Sequence, residues 1–299
     1  MSPKKKGCFL MILSGFFYGL APVLILKVSR TGASSYTGGL MIRYTVTTLL
    51  LLPFAIRSAC RRPMPYRQLG QTVLSGVLTA CTAASLYTSY RWLPGGVGMA
   101  VSYLYPLFVL LLGAAIYHRR ITAYAWLVEA MALVGIGLMC DLEALQLGAW
   151  KGVAFAVLSA LSFAAYIMWG EAKRLSKLDP IVYTGIVTGT AALGVALFNL
   201  LTGQFRVSLS PDSLFWFLLV GIDGALAVAT QITSLRYIDS ATASVLGTLE
   251  LIVCCVGSAL YLKEPFPLRS AAGAALLVLA VVLFSLRDQG GTMQGKHGE

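Results

Sequence analysis

Residues 7–28, GCFLMILSGFFYGLAPVLILKV, and residues 152–173, GVAFAVLSALSFAAYIMWGEAK, lie 145 positions apart and line up without a gap. Each is a mostly apolar run of the length that crosses a bilayer as a helix, about 20 residues. Leu13-Ser14 falls on Leu158-Ser159, and the small pair Gly15 and Gly19 falls on Ala160 and Ala164. The register persists along the chain: Gly76 meets Gly221, Ala80 meets Ala225, Arg91 meets Arg236, Ala114 meets Ala259 and Leu138 meets Leu283. Single matches carry little in so apolar a sequence. The constant offset, with apolar segments and breakers in step, defines an internal repeat.

Outward from these two stretches the sequence predicts ten membrane spans, at 7–28, 36–56, 70–90, 96–117, 122–140, 149–171, 181–202, 213–233, 241–262 and 268–286. The gaps carry punctuation such as Arg61-Arg62-Pro63, Leu93-Pro94-Gly95, Leu178-Asp179-Pro180, Ser210-Pro211-Asp212 and Glu264-Pro265, where proline stops a helix. The first span follows Lys4-Lys5-Lys6 but is long for a signal peptide and lacks a clear small-residue cleavage site. Five spans per repeat is an odd number, so the second half enters the membrane upside down relative to the first. Inverted repeats are a construction principle of secondary transporters, with the binding site at the repeat interface. The expectation is an all-α polytopic membrane protein: a five-helix repeat at 1–145, an inverted one at 146–287, and a disordered cytoplasmic tail at 288–299.

Composition agrees. Of 299 residues, 58% are hydrophobic and 12% charged, against about 25% charged in soluble chains, and the mean hydropathy is +0.78. Soluble enzymes and nucleic-acid-binding modules are excluded. The net charge of +11 is the signature of cytoplasmic loops. With the N-terminus inside, roughly 15 Lys and Arg fall on the inner side against 7 on the outer, which puts both termini in the cytoplasm. The six cysteines show no C-x-x-C spacing and there are two histidines, so no metal site, disulfide framework or cofactor is expected. Residues 290–296 read G-x-x-x-x-G-K, yet His297 stands where a phosphate-binding loop needs Ser or Thr, and no strand precedes.

Leu246-Gly247-Thr248-Leu249-Glu250, then Gly257, then Leu262-Lys263-Glu264-Pro265, set within ten spans in two inverted halves, resemble the drug/metabolite transporter superfamily and its EamA-like members. The resemblance covers nearly the whole chain. Leu251 replaces a usual proline, whereas Tyr105-Pro106 in the first half keeps it; His118-Arg119-Arg120 replaces the acidic end of that segment. The resemblance implies a transporter fold without naming a substrate. It also implies that spans five and ten stand outside the central cavity and support packing or a homodimer, which assigns Glu129 to packing.

Four ionisable side chains sit near mid-span: Arg43, Glu129, Asp223 and Glu250. Each charge there costs about 2.5–3.5 kcal/mol on insertion scales, so it pairs, faces water or stays neutral. Arg43 reads as a clamp for a solute carboxylate or as the partner of a buried acid. Glu250, opposite Tyr105 in the repeat, reads as a cavity carboxylate for cationic groups or protons, or as a neutral hydrogen-bonding acid. Asp223 shares a helical face with Ala227, Thr230 and Ser234, either a cavity wall or a hydrogen-bonded helix seam. Further stripes run through Ser14, Tyr18 and Pro22; Thr79, Thr82, Tyr87 and Tyr90; Ser102 and Tyr105; and Ser159, Ser162, Tyr166 and Trp169. Tyr18, Arg43, Tyr105, Tyr166, Trp169, Asp223 and Glu250 are thus expected to border one substrate pocket. Aromatic walls suit an amphipathic organic solute better than a bare ion.

The leading reading is a secondary transporter of a small organic metabolite (amino acid, nucleobase, cationic metabolite or drug) in the cell membrane, working by alternating access. An intramembrane enzyme built on Asp223 and Glu250 lacks a second catalytic signature, and a channel lacks a continuous polar pore.

Overall fold

A computed structural model of the chain describes residues 3–61, 64–117, 122–139, 149–173, 178–208, 210–238, 246–247, 249–264 and 266–294. Its helices are α1 (Pro3–Arg30), α2 (Tyr36–Arg61), α3 (Tyr66–Ser89), α4 (Gly95–Ser102), α5 (Tyr105–Tyr117), α6 (Ala123–Met139), α7 (Ala149–Ala172), α8 (Pro180–Leu201), α9 (Pro211–Ser234), α10 (Leu249–Tyr261) and α11 (Leu268–Gln294). Among the described residues seven segments, α4 and α5 taken together, are long and apolar enough to cross a membrane. Three shorter apolar stretches lie in α6, α10 and α11. Beta pairing among the described residues is an isolated Ser34–Val207 bridge, where the α1–α2 and α8–α9 connections meet. Leucines and phenylalanines such as Leu49, Phe54, Leu197, Leu200, Leu218 and Leu260 are exposed, as a surface bathed in lipid requires.

The breakers do their local work. Asp179 accepts from the Ile181 and Val182 amides at 3.0 and 3.1 Å, ahead of Pro180. Ser210 and Ser213 form a reciprocal cap ahead of α9, with Pro211 in the first turn. Both satisfy helix-start amides that a bilayer cannot.

The expected span at 96–117 is made of two helices, α4 and α5, that together are long and apolar enough to cross a membrane. Pro106 has no N–H to give the carbonyl of Ser102 four residues earlier, and it disfavours helical geometry at Tyr105. The chain therefore tightens at Tyr103 and Leu104, whose amides reach back three residues, to Ala100 and Val101 at 3.0 and 3.1 Å, before α5 resumes. The repeat-related position, Thr248, lies outside the described residues. The last helix runs to Gln294, past the expected start of the tail at 288; residues 295–299 lie outside the described residues.

Helix packing follows the 145-residue shift. Helix α1 lies along α9 and α10, and its counterpart α7 lies along α3 and the α4–α5 pair; α2 packs on α8, and α6 on α11. Two shift-related glycines set close crossings. A Cβ on Gly76 would stand 2.5 Å from Thr190 Cβ on α8, and one on Gly221 would stand 2.4 Å from Val46 Cβ on α2. Either addition forces helices apart. One core, of Val23, Leu24, Ile25, Leu26, Leu40, Tyr87, Tyr90, Phe217 and Leu262, fills the end of the bundle where α1 finishes. A second, of Met99, Val101, Val128, Ala132, Leu251, Cys254 and Leu277, binds the α6–α11 pair to the bundle.

Candidate functional site

A chamber of about 580 Å³ occupies the middle of the bundle and reaches toward the N-terminal end of α1, within the size range of small-molecule sites. Its wall includes Met11, Gly15 and Tyr18 of α1, Arg43, Tyr44 and Thr47 of α2, and Thr79 and Thr82 of α3. Tyr103 and Tyr105 flank the helix break; Phe163 and Tyr166 come from α7, Tyr183 and Thr184 from α8, Gly224, Val228 and Gln231 from α9, and Glu250 from α10.

Five of the residues expected from sequence, Tyr18, Arg43, Tyr105, Tyr166 and Glu250, meet on this wall. Tyr18 donates to Gln231 Oε1 at 3.0 Å, and its ring lies 5.5 Å from the Arg43 guanidinium. Tyr183 donates to the Tyr166 hydroxyl at 3.1 Å. Phe163 joins two of these rings, edge-on to Tyr105 at 4.8 Å and stacked on Tyr166 at 5.8 Å. Glu250 owes its place to two glycines. Gly15 and Gly19 lie against Leu249, Glu250 and Val253, and a Cβ on Gly19 would collide with the Glu250 carbonyl.

Two expectations shift. Trp169 stands off the wall: its indole N–H donates to the Gln71 carbonyl at 3.0 Å, tying α7 to α3. Asp223 is buried behind Arg43, 3.6 Å from Nη2. Its stripe is a seam. Ser14 donates to the Ala227 carbonyl at 2.9 Å, Thr230 returns to Leu226 and Ala227, and Ser234 meets Met11. The chamber sees the adjoining face of α9, Gly224, Val228, Gln231 and Leu235. Glu129 is buried on α6 away from this wall.

Sequence reasoning missed Tyr103, whose hydroxyl donates to Glu250 Oε1. The signal was Pro106, whose missing N–H puts a break at Tyr103 and Leu104, just upstream. The contribution of Tyr44, Phe163 and Tyr183 was also missed.

At the other end of the bundle several helix ends are tied together. Glu264 Oε1 accepts from Arg30 Nη2 at 2.5 Å, and Oε2 accepts from the Gly95 amide at 3.0 Å. Arg30 Nη1 donates to the Leu262 carbonyl at 2.7 Å. One carboxylate thus joins the end of α1, the start of α4 and the end of α10. Burial pushes the Glu264 carboxyl above the usual carboxylate range, against the pull of the Gly95 amide and Arg30. Beside it the Ser34–Val207 bridge, with Ser35 N to Arg206 O at 3.1 Å and Ser208 N to Ala33 O at 2.8 Å, links the α1–α2 and α8–α9 connections.

A helical bundle that exposes apolar side chains outward and surrounds a chamber of aromatic and a few polar side chains describes a multi-pass membrane protein that handles small solutes. The EamA-like transporter family model matches residues 5–140 and 150–286, and the chain belongs to that family. It is similar to the S-adenosylmethionine uptake transporter of Rickettsia prowazekii (strain Madrid E), 23% identical over 260 residues, covering 85% of this chain and 84% of that protein. The same-named transporter of Rickettsia conorii (strain ATCC VR-613 / Malish 7) is 22% identical over the same shares. An uncharacterized transporter of Archaeoglobus fulgidus is 22% identical, covering 82% of this chain and 86% of that protein. A solved crystal structure, 20% identical, superposes with a TM-score of 0.60 over 95% of this chain and 97% of that one, which supports the fold.

Proposed function

We propose that this transporter moves a small organic metabolite across the cell membrane as a secondary carrier, with Tyr18, Arg43, Tyr105, Tyr166 and Glu250 binding the solute and Asp223 positioning Arg43. The observation that carries the reading is the chamber, open toward one end of the bundle: one cation, one carboxylate and a run of aromatic rings face the same space, and the opposite end is tied together by Glu264. Chain-wide shift-related packing supports two inverted five-helix repeats, which rock about the chamber in alternating access. The Lys and Arg bias supports cytoplasmic termini, so the chamber reaches the cytoplasm and the Glu264 clasp closes the outside. Names of the relatives place S-adenosylmethionine among the solutes to try first.

Counterflow in proteoliposomes tests this: a carrier exchanges labelled for unlabelled solute without consuming it. Glu250→Gln keeps size while removing titration. The expected result is normal membrane levels with transport that is weaker or has lost its dependence on pH across about 5.5–8. Unchanged uptake over that range makes Glu250 structural, and absence of exchange with any solute refutes the carrier reading.

A further inference from the structure

A second cavity, of about 520 Å³, shares no wall residue with the chamber. It lies where the α1–α2 and α8–α9 connections meet, beside the Ser34–Val207 bridge. Thr31 of one connection, Ser208 of the other, and Asp212, Phe215 and Trp216 of α9 stand on its wall. The last three are spaced by three and four residues, so α9 presents the carboxylate and both rings on one face. The rings meet edge-on at 5.7 Å. Capping does not account for the acid, because Ser210 and Ser213 already close the start of α9. Asp212 is exposed, and it belongs to neither the Arg30–Glu264 nor the Arg43–Asp223 pair. Thr31 donates its proton to the Val28 carbonyl at 2.7 Å, which leaves its oxygen as an acceptor. A carboxylate, a hydroxyl oxygen and two ring faces suit an ammonium group and disfavour an anion.

The same helix indicates what carries that ammonium. Phe215, Leu218, Ile222 and Leu226 follow one another at helical spacing and are all exposed, an apolar stripe that leads from the cavity along α9. The cavity sits at the first turns of a 24-residue helix long enough to cross the bilayer, which is the depth of lipid head groups and the depth at which tryptophan collects. We propose that the cavity holds the head of an ammonium-headed phospholipid, phosphatidylethanolamine being the simplest, with its amine between Asp212 and the Phe215–Trp216 pair and an acyl chain along the exposed stripe. Its walls belong to connections of both halves of the chain, so the bound lipid ties those connections together and stabilises the fold. The site is independent of the solute and of the carrier reading.

The test is the melting temperature of purified full-length protein in detergent, titrated with phosphatidylethanolamine or with phosphatidylglycerol of identical chains. The ethanolamine lipid should stabilise at concentrations about five- to tenfold lower than the glycerol lipid. Asp212→Asn, read against its own lipid-free melting temperature, should erase that preference. Trp216→Leu should weaken the ethanolamine lipid about threefold. Water-soluble glycerophosphoethanolamine should give no stabilisation over the same concentrations, which separates a lipid from a free amine. Equal stabilisation by the two lipids, a preference that survives Asp212→Asn, or a soluble head group as effective as the lipid each overturns the proposal.

Discussion

At the sealed end Arg30 meets Glu264 at 2.5 Å, and the same carboxylate also holds the Gly95 amide. In the chamber Arg43 stands 3.6 Å from Asp223 and the two exchange no hydrogen bond. The chemical groups are the same; their completion is opposite. The Arg30–Glu264 pair has its hydrogen bonds made and joins three helix ends. The chamber pair is deeper, yet its polar atoms are unspent, and a buried charge without hydrogen bonds gains little from its partner for the desolvation it suffers. What the contrast teaches is a difference in completion: the Glu264 contacts are finished and tie helix ends together, whereas those of Arg43 and Asp223 are unfinished.

The comparison breaks first at Glu264. Glu264→Ala strips partners from Arg30 and Gly95. Arg30 is 41% exposed at its side chain, so water recovers part of the loss, leaving about 1–3 kcal/mol against the closed end. Cys255 lies buried beside Gly96 under the clasp. In a detergent-solubilised variant keeping only Cys255 and a reference Cys60, a maleimide should modify Cys255 roughly tenfold faster when Glu264 is alanine. An unchanged rate would mean that the clasp is not the closure. Asp223→Asn should act on solute affinity much more than on this rate.

A smaller effect comes from pH. In the closed end the Glu264 carboxyl sits above its usual range because it is buried; once opened into water it returns toward about 4.3. Between those two values the closed state holds more protons, so its stability falls as pH rises through the raised value and is recovered in acid. Arg30, Tyr90, Cys254 and Cys255 are the neighbouring ionisable groups. Cys255 modification, normalised to the exposed Cys60, should slow about threefold from pH 8 to 5.5. Glu264→Gln should flatten that dependence; a slope that persists assigns it to another group.

Which side of this comparison could be read from sequence follows from range. Seven of the expected spans and several helix starts were legible because a bilayer demands apolar length and because Pro180, Pro211 and their caps act locally. Arg43 and Glu250 were legible because a charge in mid-span needs a reason, and Tyr18, Tyr105 and Tyr166 because they share faces with other polar positions. Helical periodicity could not say which neighbour a face meets. That is why the Asp223 stripe became a seam with α1, why Trp169 turned to Gln71, and why Tyr103 went unseen past the break at Pro106. The clasp was out of reach altogether: Glu264-Pro265 reads as punctuation, and its partners lie 169 and 234 residues away.

The finest adjustment of the clasp lies at Lys263, whose φ of 53° is in the left-handed region. Helix α10 ends there with the amides of Leu262 and Glu264 both turned onto the Ser258 carbonyl at 3.0 and 3.3 Å, a wrap that glycine usually provides. That turn aims the Glu264 carboxylate at Arg30 and Gly95. A side chain in this geometry costs about 1–2 kcal/mol, while glycine returns roughly 0.5–1 kcal/mol through the greater freedom of the unfolded chain. Lys263→Gly should therefore stabilise the closed form by only about 0.5 kcal/mol, raising the melting temperature by about 1–2 °C and slowing Cys255 modification about twofold. Lys263→Ala keeps the strain and should give neither. If glycine instead speeds modification, Lys263 holds the clasp through its side chain, and the closed end depends on more than the three hydrogen bonds of Arg30 and Glu264.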